Sequence, residues 1–554
     1  MRIPKNILAQ QVILLCKLKE IQHIVISPGS RNAPLTIGFT NDPFFKSYAI
    51  VDERCAAFFA LGIAQKSKQP VALVCTSGSA LLNYYPAIAE AFYSGVPLVI
   101  LSADRPDYLV GIGDGQTINQ PEVYKNHIQY SANLKHVTED KTDNYNENEI
   151  NKALNISLLE NGPVHINIPF EEPLYDLIED YNVNVHNVLL NNKANDIGDT
   201  SEYRSIWNAS KRKMILVGVN TPNEISNTVI KYLASDHSTI VFTEATSNIH
   251  HDSFFPSIDK IIASLSEEEF KQLQPDILLT FGGMIVSKKI KAFLRKYQPK
   301  HHWHIDERKA NNTFFCLSKH FKTSVNNFFN TIDVKQVEST YRSYWETVKI
   351  KKQKKHDAYL KTIEFTDLKV FDVILKSIPN EINLQLSNSS TIRYAQLFSL
   401  NESLQVYCNR GTSGIDGSTS TAIGSAIVSK TPTVLITGDL SFLYDSNALW
   451  NDYIPNDFRI ILINNTGGGI FRILRGHKNT KNFDTYFETT HNLTAEHLCK
   501  MYNFDYKIVD NERSLKLALK NFYRKDETPK LLEIITPRSL NDQILIEYFN
   551  ISNK

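Results

Sequence analysis

Short β-branched and apolar runs recur along the chain, each closed by a small or polar residue and followed by positions of helical spacing. That is the pattern of parallel strands joined by crossover helices. In the first third the runs fall at 23–26, 71–75, 98–101 and 164–168. A second set lies at 214–217, 240–242, 277–279 and 303–305, and a third at 405–408, 433–436, 460–463 and 531–535. The last third thus repeats the arrangement of the first around a smaller middle set. Residues 181–200 are rich in Asn and lack periodicity, and 336–360 contain the basic run Lys349-Ile350-Lys351-Lys352-Gln353-Lys354-Lys355-His356. The expectation is an α/β protein of three doubly wound parallel-sheet domains, 1–180, 201–335 and 361–554, with linkers at 181–200 and 336–360. The basic run reads as a solvated linker or helix face.

A length of 554 residues suits three or four domains. Sixty Lys plus Arg balance 59 Asp plus Glu, leaving a formal charge of +1. No long-range field then draws in nucleic acid or an anionic membrane, and neither is expected as a partner. Apolar runs such as 96–101 fall far short of the roughly 18–20 residues that span a bilayer, and Met1-Arg2-Ile3-Pro4-Lys5-Asn6 lacks the apolar core of a signal peptide. A cytoplasmic chain is expected. Its six cysteines, Cys16, Cys55, Cys75, Cys316, Cys408 and Cys499, stand far apart without a Cys-x-x-Cys, which suits reduced, mostly buried thiols.

The strongest chemical signal is Gly438-Asp439 at the end of one run and Asn464-Asn465-Thr466-Gly467 at the end of the next, with 26 residues from Asp439 to Asn465. One helical crossover fits that spacing, so a carboxylate and an amide meet at the carboxyl edge of the sheet, where ligands of α/β proteins bind. A hard cation such as Mg²⁺ takes oxygen ligands of this kind together with substrate phosphates. The stretch from Gly411 to Ser418 adds backbone and hydroxyl donors suited to the same diphosphate. In the first domain Asp52-Glu53-Arg54 precedes a helical run of small and apolar residues at 55–64, where Glu53 taken alone is a first-turn acid. The middle-domain histidines His250, His251, His301, His302 and His304 are not expected to hold a metal, because strand alternation sends His301 and His302 to opposite faces.

With these motifs the chain resembles the thiamine diphosphate enzymes of the decarboxylase and carboligase type. The family's Gly-Asp-Gly is here Gly438-Asp439-Leu440, followed by Ser441 and by the Asn464-Asn465 pair. Gly-Asp-Leu-Ser with Tyr444-Asp445-Ser446-Asn447-Ala448-Leu449 resembles the branch that serves menaquinone biosynthesis. So do Ser27-Pro28-Gly29-Ser30-Arg31-Asn32, Thr76-Ser77-Gly78-Ser79, Ser102-Ala103-Asp104-Arg105-Pro106, Gln116-Thr117-Ile118-Asn119-Gln120 and Asn409-Arg410-Gly411-Thr412-Ser413-Gly414-Ile415-Asp416-Gly417. These blocks tile both outer domains and cover the middle one poorly. Gly115 departs from relatives that carry a polar side chain there.

The resemblance implies thiamine diphosphate with Mg²⁺ or Mn²⁺ as cofactors, 2-oxoglutarate as donor and isochorismate as acceptor. It implies a homodimer, or a dimer of dimers, with sites shared between subunits. Glu53 would hydrogen-bond the cofactor's pyrimidine. Ser389, Ile415, Asp416, Gly438, Asp439, Leu440, Ser441, Asn465 and Gly467 would surround the cofactor, with Asp439, Asn465 and Gly467 on the metal. Ile470, Phe471 and Leu474 would line the pocket and exclude water. Arg393 and Arg410 are the donor-side cations. Ser30, Arg31, Arg105 and Gln116 are the acceptor-side groups, and Lys288 is a weaker substrate candidate. No histidine stands within the cofactor motifs. Two other readings are another 2-oxoacid decarboxylase or carboligase using the same cofactor, and a non-catalytic subunit. The dicarboxylate cations count against the first, and the retained Glu53, Asp439 and Asn465 count against the second.

Overall fold

Runs such as Val71–Cys75 and Ile277–Phe281 are buried along their whole length, as strands covered on both faces require. In the computed structural model, which describes residues 2–136, 144–189, 197–333, 335–473, 478 and 480–551, they assemble into three parallel sheets. The first holds β1 (His23–Ile26), β2 (Lys46–Ala49), β3 (Val71–Cys75), β4 (Leu98–Asp104), β5 (Tyr130–Asn133) and β6 (Val164–Pro169), in the order β2-β1-β3-β4-β6-β5. The second holds β7 (Lys213–Val217), β8 (Thr239–Thr243), β9 (Ile277–Phe281), β10 (His301–Ile305) and β11 (Leu317–Phe321), in the order β8-β7-β9-β10-β11. The third holds β12 (Asn383–Leu386), β13 (Gln405–Tyr407), β14 (Thr433–Gly438), β15 (Arg459–Asn464), β16 (Asp505–Val509) and β17 (Lys530–Ile535), in the order β13-β12-β14-β15-β17-β16. The first and third sheets therefore share one strand order, and the α/β expectation of three parallel-sheet units holds.

Five helices position the site: α1 (Glu53–Ser67), α2 (Tyr85–Ser94), α3 (Tyr341–Thr362), α4 (Ser418–Val428) and α5 (Asp439–Tyr444). Helix α3 takes up most of 336–360, and its basic run is only half solvated. Lys352 and His356, one turn apart, are buried. His356 Nδ1 lies 2.8 Å from the Tyr548 hydroxyl, and Lys349 donates to the carbonyls of Asp252 and Phe254 at 2.8 and 3.0 Å. Of the 181–200 segment, residues 190–196 lie outside the described set. All six cysteines are free, and five are buried. No described helix is long and apolar enough to cross a membrane.

One hydrophobic core runs through both outer domains, joining Phe58, Phe59 and Leu61 of α1 to Ala422 and Ile423 of α4 and to Leu435 of β14. The two helices cross backbone to backbone. A Cβ on Gly62 would lie 2.0 Å from the Thr421 carbonyl oxygen, and one on Gly424 would lie 1.9 Å from that of Phe59. At an exposed helical position Gly→Ala gains about 1 kcal/mol of helix propensity. Here the added methyl has nowhere to go, so Gly62→Ala is expected to destabilise by about 2 kcal/mol, seen as a lower Tm. An unchanged or higher Tm would mean that the crossing is looser than this geometry.

Candidate functional site

The carboxyl edge of the third sheet gathers the polar motifs. Strands β14 and β15 are neighbours with Gly438 opposite Ile463, so Asp439 and Asn465 leave the sheet side by side. Asp439 is buried at the start of α5; its Oδ1 accepts from Leu440 N at 2.7 Å and its Oδ2 from Gly467 N at 2.9 Å. Thr466 has φ 63° and Gly467 φ 148°; a Cβ on Gly467 would meet the Glu488 carbonyl oxygen at 2.7 Å. This turn therefore needs glycine. Glu488, held by Arg472 and Arg538, accepts the Gly468 amide at 2.6 Å and so fixes the loop from behind.

Asn465 is oriented by a residue that its motif does not contain. Its Nδ2 donates to Asp367 Oδ2 at 3.0 Å, while its Oδ1 is buried without a partner. Asp367 Oδ1 accepts from the Thr536 hydroxyl at 2.6 Å, and burial pushes the Asp367 carboxyl up to about 6. An orphaned amide oxygen beside the Asp439 carboxylate is a donor set for a hard cation that brings its own oxygen ligands. Among the described residues no group of three or more His, Cys, Asp or Glu could hold an ion by itself. The residues thus fit a metal shared with a diphosphate. Ser418 Oγ and Thr419 Oγ1 at the start of α4 are also buried without partners.

The loop after β13 lies alongside. Asn388 Nδ2 donates to the carbonyls of Asn409 and Gly414 at 2.6 and 2.7 Å, and its Oδ1 accepts from Arg410 NH1 at 2.7 Å. Ser441 donates to the Ile415 carbonyl at 2.6 Å, which ties the loop to α5. The Ile415 side chain is exposed, and Asp416 is half-buried with its carboxyl raised by burial. Ser389 adopts φ 66°, and its carbonyl takes Arg393 NH1 at 2.6 Å. Arg393 is lowered first by burial and then by the charge of Arg410, so the two guanidinium groups lie within each other's field; Arg410 Nε is buried without a partner. Leu440 and Ile470 are half-buried and Phe471 is exposed, while Leu474 lies outside the described residues.

The acceptor-side candidates converge on the carboxyl edge of the first sheet. Arg105 donates through NH1 to Ser77 Oγ at 2.9 Å and through Nε to Asp114 at 3.0 Å. Arg31 NH1 reaches the Phe170 carbonyl at 3.1 Å and Glu172 at 3.2 Å. Gln116, at φ 55°, has its carbonyl against Gly78, and Gly29 packs on Thr76, which brings the exposed Ser30 to the same edge. Glu53 opens α1 behind the cap Asp52 and accepts from Asn83 Nδ2 at 3.1 Å. Its neighbours lean on the C-terminal domain: Arg54 donates to the Tyr444 carbonyl at 2.7 Å, and Asn447 donates to Asp52 at 2.8 Å.

Around the site the structure adds three residues that the sequence reading leaves out, Lys291, His491 and Asp367. Lys288 is exposed at a helix start; Lys291, one turn later, is the half-buried cation, lowered by burial and within the fields of Glu244 and Arg410. His491, which lies outside every cofactor motif, reaches the site, with its Nε2 3.3 Å from Asp439 Oδ2 and its pKa raised by that carboxylate. It arrives from a later loop through a bond from its amide to the Thr466 carbonyl, so no motif spacing announces it. Asp367 reads in the sequence only as an acid at a helix start. In the middle domain His302 Nε2 and His304 Nδ1 both meet the Thr280 hydroxyl, at 3.0 and 2.8 Å.

Models of the thiamine pyrophosphate enzymes match most of the chain: the N-terminal TPP binding domain over 7–130, the middle domain over 189–386 and the C-terminal TPP binding domain over 388–534. The chain is 56% identical to the 2-succinyl-5-enolpyruvyl-6-hydroxy-3-cyclohexene-1-carboxylate synthase of Christiangramia forsetii, with 99% of each chain covered. It is 54% identical to that of Flavobacterium psychrophilum, again over 99% of each. To that of Porphyromonas gingivalis it is 37% identical over 97% of this chain and 95% of the relative.

Replacing Asp367 with Ala frees the Asn465 amide to rotate. We expect Mg²⁺-dependent binding of thiamine diphosphate, measured by calorimetry, to weaken about tenfold, the equivalent of about one hydrogen bond. Unchanged binding would remove Asn465 from the cation site.

Proposed function

The chain belongs to the thiamine diphosphate enzymes, within the group of 2-succinyl-5-enolpyruvyl-6-hydroxy-3-cyclohexene-1-carboxylate synthases, and from that membership we propose how its residues carry the reaction. The protein decarboxylates 2-oxoglutarate and adds the remaining four-carbon unit to isochorismate, as a transferase of menaquinone biosynthesis. When bound, thiamine diphosphate supplies an acidic thiazolium carbon and an electron sink for the charge left as CO₂ departs.

Asp439, Asn465 Oδ1 and the Gly467 backbone would hold Mg²⁺ or Mn²⁺, with Gly438, Leu440, Ser441, Ser389 and Asp416 framing the diphosphate. Glu53 would hydrogen-bond the pyrimidine ring and exchange a proton with it. Ile415 would support the cofactor from the loop after β13, and Ile470 and Phe471 would keep water from the reacting carbon. Arg393 and Arg410 would pair with the donor's distal carboxylate; Ser30, Arg31, Arg105 and Gln116 would receive the acceptor, with Lys288 at the margin. This reading keeps outer domains at 1–180 and 361–554 around a centre at 201–335, in a cytoplasmic homodimer or dimer of dimers.

One observation carries the dicarboxylate donor: two arginines in each other's field, one of them with an unpartnered buried Nε, beside the Asp439 and Asn465 edge. An anion from outside the chain satisfies what the protein leaves open. The direct test is to incubate the protein with thiamine diphosphate, Mg²⁺, 2-oxoglutarate and isochorismate and follow acceptor loss and product mass. Arg393→Ala or Arg410→Ala should raise the KM for 2-oxoglutarate by tenfold or more, and that for a donor without the distal carboxylate far less. Equal losses on both donors would take these arginines out of donor recognition.

If Glu53 and Asp439 serve one site from two chains, inactive Glu53→Gln and Asp439→Ala proteins should complement each other. In a mixed dimer one site collects both lesions and the other none. Random pairing then restores about one quarter of wild-type activity once subunits exchange. Exchange confirmed by mass spectrometry without recovery would mean that each chain builds its own site.

A further inference from the structure

Four hydrogen-bond donors converge on one carboxylate of the N-terminal domain that none of the assigned roles uses. Glu90, in α2, is 1% exposed. Its Oε1 accepts from Gly411 N at 2.6 Å and from the Ser94 hydroxyl at 2.8 Å. Its Oε2 accepts from Thr412 N at 2.6 Å and from the Thr412 hydroxyl at 2.9 Å. Two consecutive backbone N–H groups pointing one way form a concave seat for an anion, and a carboxylate gives each its own acceptor. An amide side chain supplies one acceptor only and turns a donor toward the other N–H.

The grip falls on main chain of the other outer domain. Gly411 follows Arg410 directly, and its lack of a side chain lets the loop seat there: a Cβ would lie 2.4 Å from the Glu90 carbonyl oxygen and 2.7 Å from Ser94 Oγ. Asn388 holds the same loop from the C-terminal domain through the carbonyls of Asn409 and Gly414 and through Arg410 itself. Glu90 and Asn388 thus hold the segment that ends in Ile415 from two domains.

We propose that Glu90 is a positioning residue of the donor pocket: from the N-terminal domain it fixes the Gly411–Thr412 backbone so that the Arg410 guanidinium meets the distal carboxylate of a 2-oxo dicarboxylic acid. The inference rests on the donor role of Arg410 proposed above. Its test is a double-mutant cycle in the full-length protein. Glu90→Gln should raise the KM for 2-oxoglutarate at least tenfold and that for isochorismate less than twofold. Glu90→Asp, which keeps both carboxylate oxygens, should recover part of the loss and stands in if the Gln protein does not fold. In the Arg410→Ala background Glu90→Gln should add little, because the group it positions is gone. A normal donor KM in Glu90→Gln, equal rises for both substrates, or full additivity with Arg410→Ala would overturn the positioning role. If Arg410→Ala alone leaves the donor KM unchanged, the assignment of Arg410 fails, and the role given to Glu90 falls with it.

Discussion

The crossing of α1 over α4 is the constraint from which the rest of the molecule follows. Two glycines let the helix backbones touch, and burial of Phe58, Phe59 and Ile423 around them joins the outer domains into one core. Both helices present candidate site residues at their starts, Glu53 on α1 and Gly417 with Ser418 on α4. Fixing the crossing fixes how the carboxyl edges of the two outer sheets stand to one another. Gly417, at φ 67°, completes the fit, since a side chain there would occupy the Phe58 ring.

Around the site, polar groups divide by whether the chain completes them. Glu90 and Asn388 are fully engaged, and Asp445 accepts both the amide and the hydroxyl of Ser420 at 2.7 and 2.9 Å. Such buried groups, once satisfied, set geometry and bind nothing else. Asn465 Oδ1 and Arg410 Nε are buried and unmet. On the proposed reading a ligand recovers their desolvation cost, so the supporting groups build a shape and the unmet ones define what completes it.

Sequence alone reveals most central strands because parallel strands buried on both faces read as unbroken apolar runs. It misses β2, β5, β11 and β16, all edge strands, whose polar positions Lys46, Ser131, Lys319 and Lys507 break the run. It also misses β12, a central strand, because Asn383 and Gln385 interrupt it; both are buried in bonds to Ser425, and Asn383 also reaches Thr433. Motif residues such as Asp439, Asn465, Arg410 and Arg105 are visible because short loops at strand ends keep them contiguous in sequence. Glu90, Asp367 and His491 are not, because each reaches its partner across a domain or a long loop, leaving only a single polar letter among helical or irregular neighbours.

The charge count of the cation site has a consequence for the order of assembly. Asp439 contributes one negative charge, while Asn465 and the Gly467 backbone contribute none. On the proposed reading a dication seated there alone would keep a net positive charge and most of its water, and the diphosphate alone would meet the Asp439 carboxylate with no metal between them. Each ligand therefore improves the seat of the other, and by thermodynamic reciprocity by the same factor. On that reading metal and cofactor would load as a coupled pair, and the apoprotein would have little reason to scavenge either one by itself.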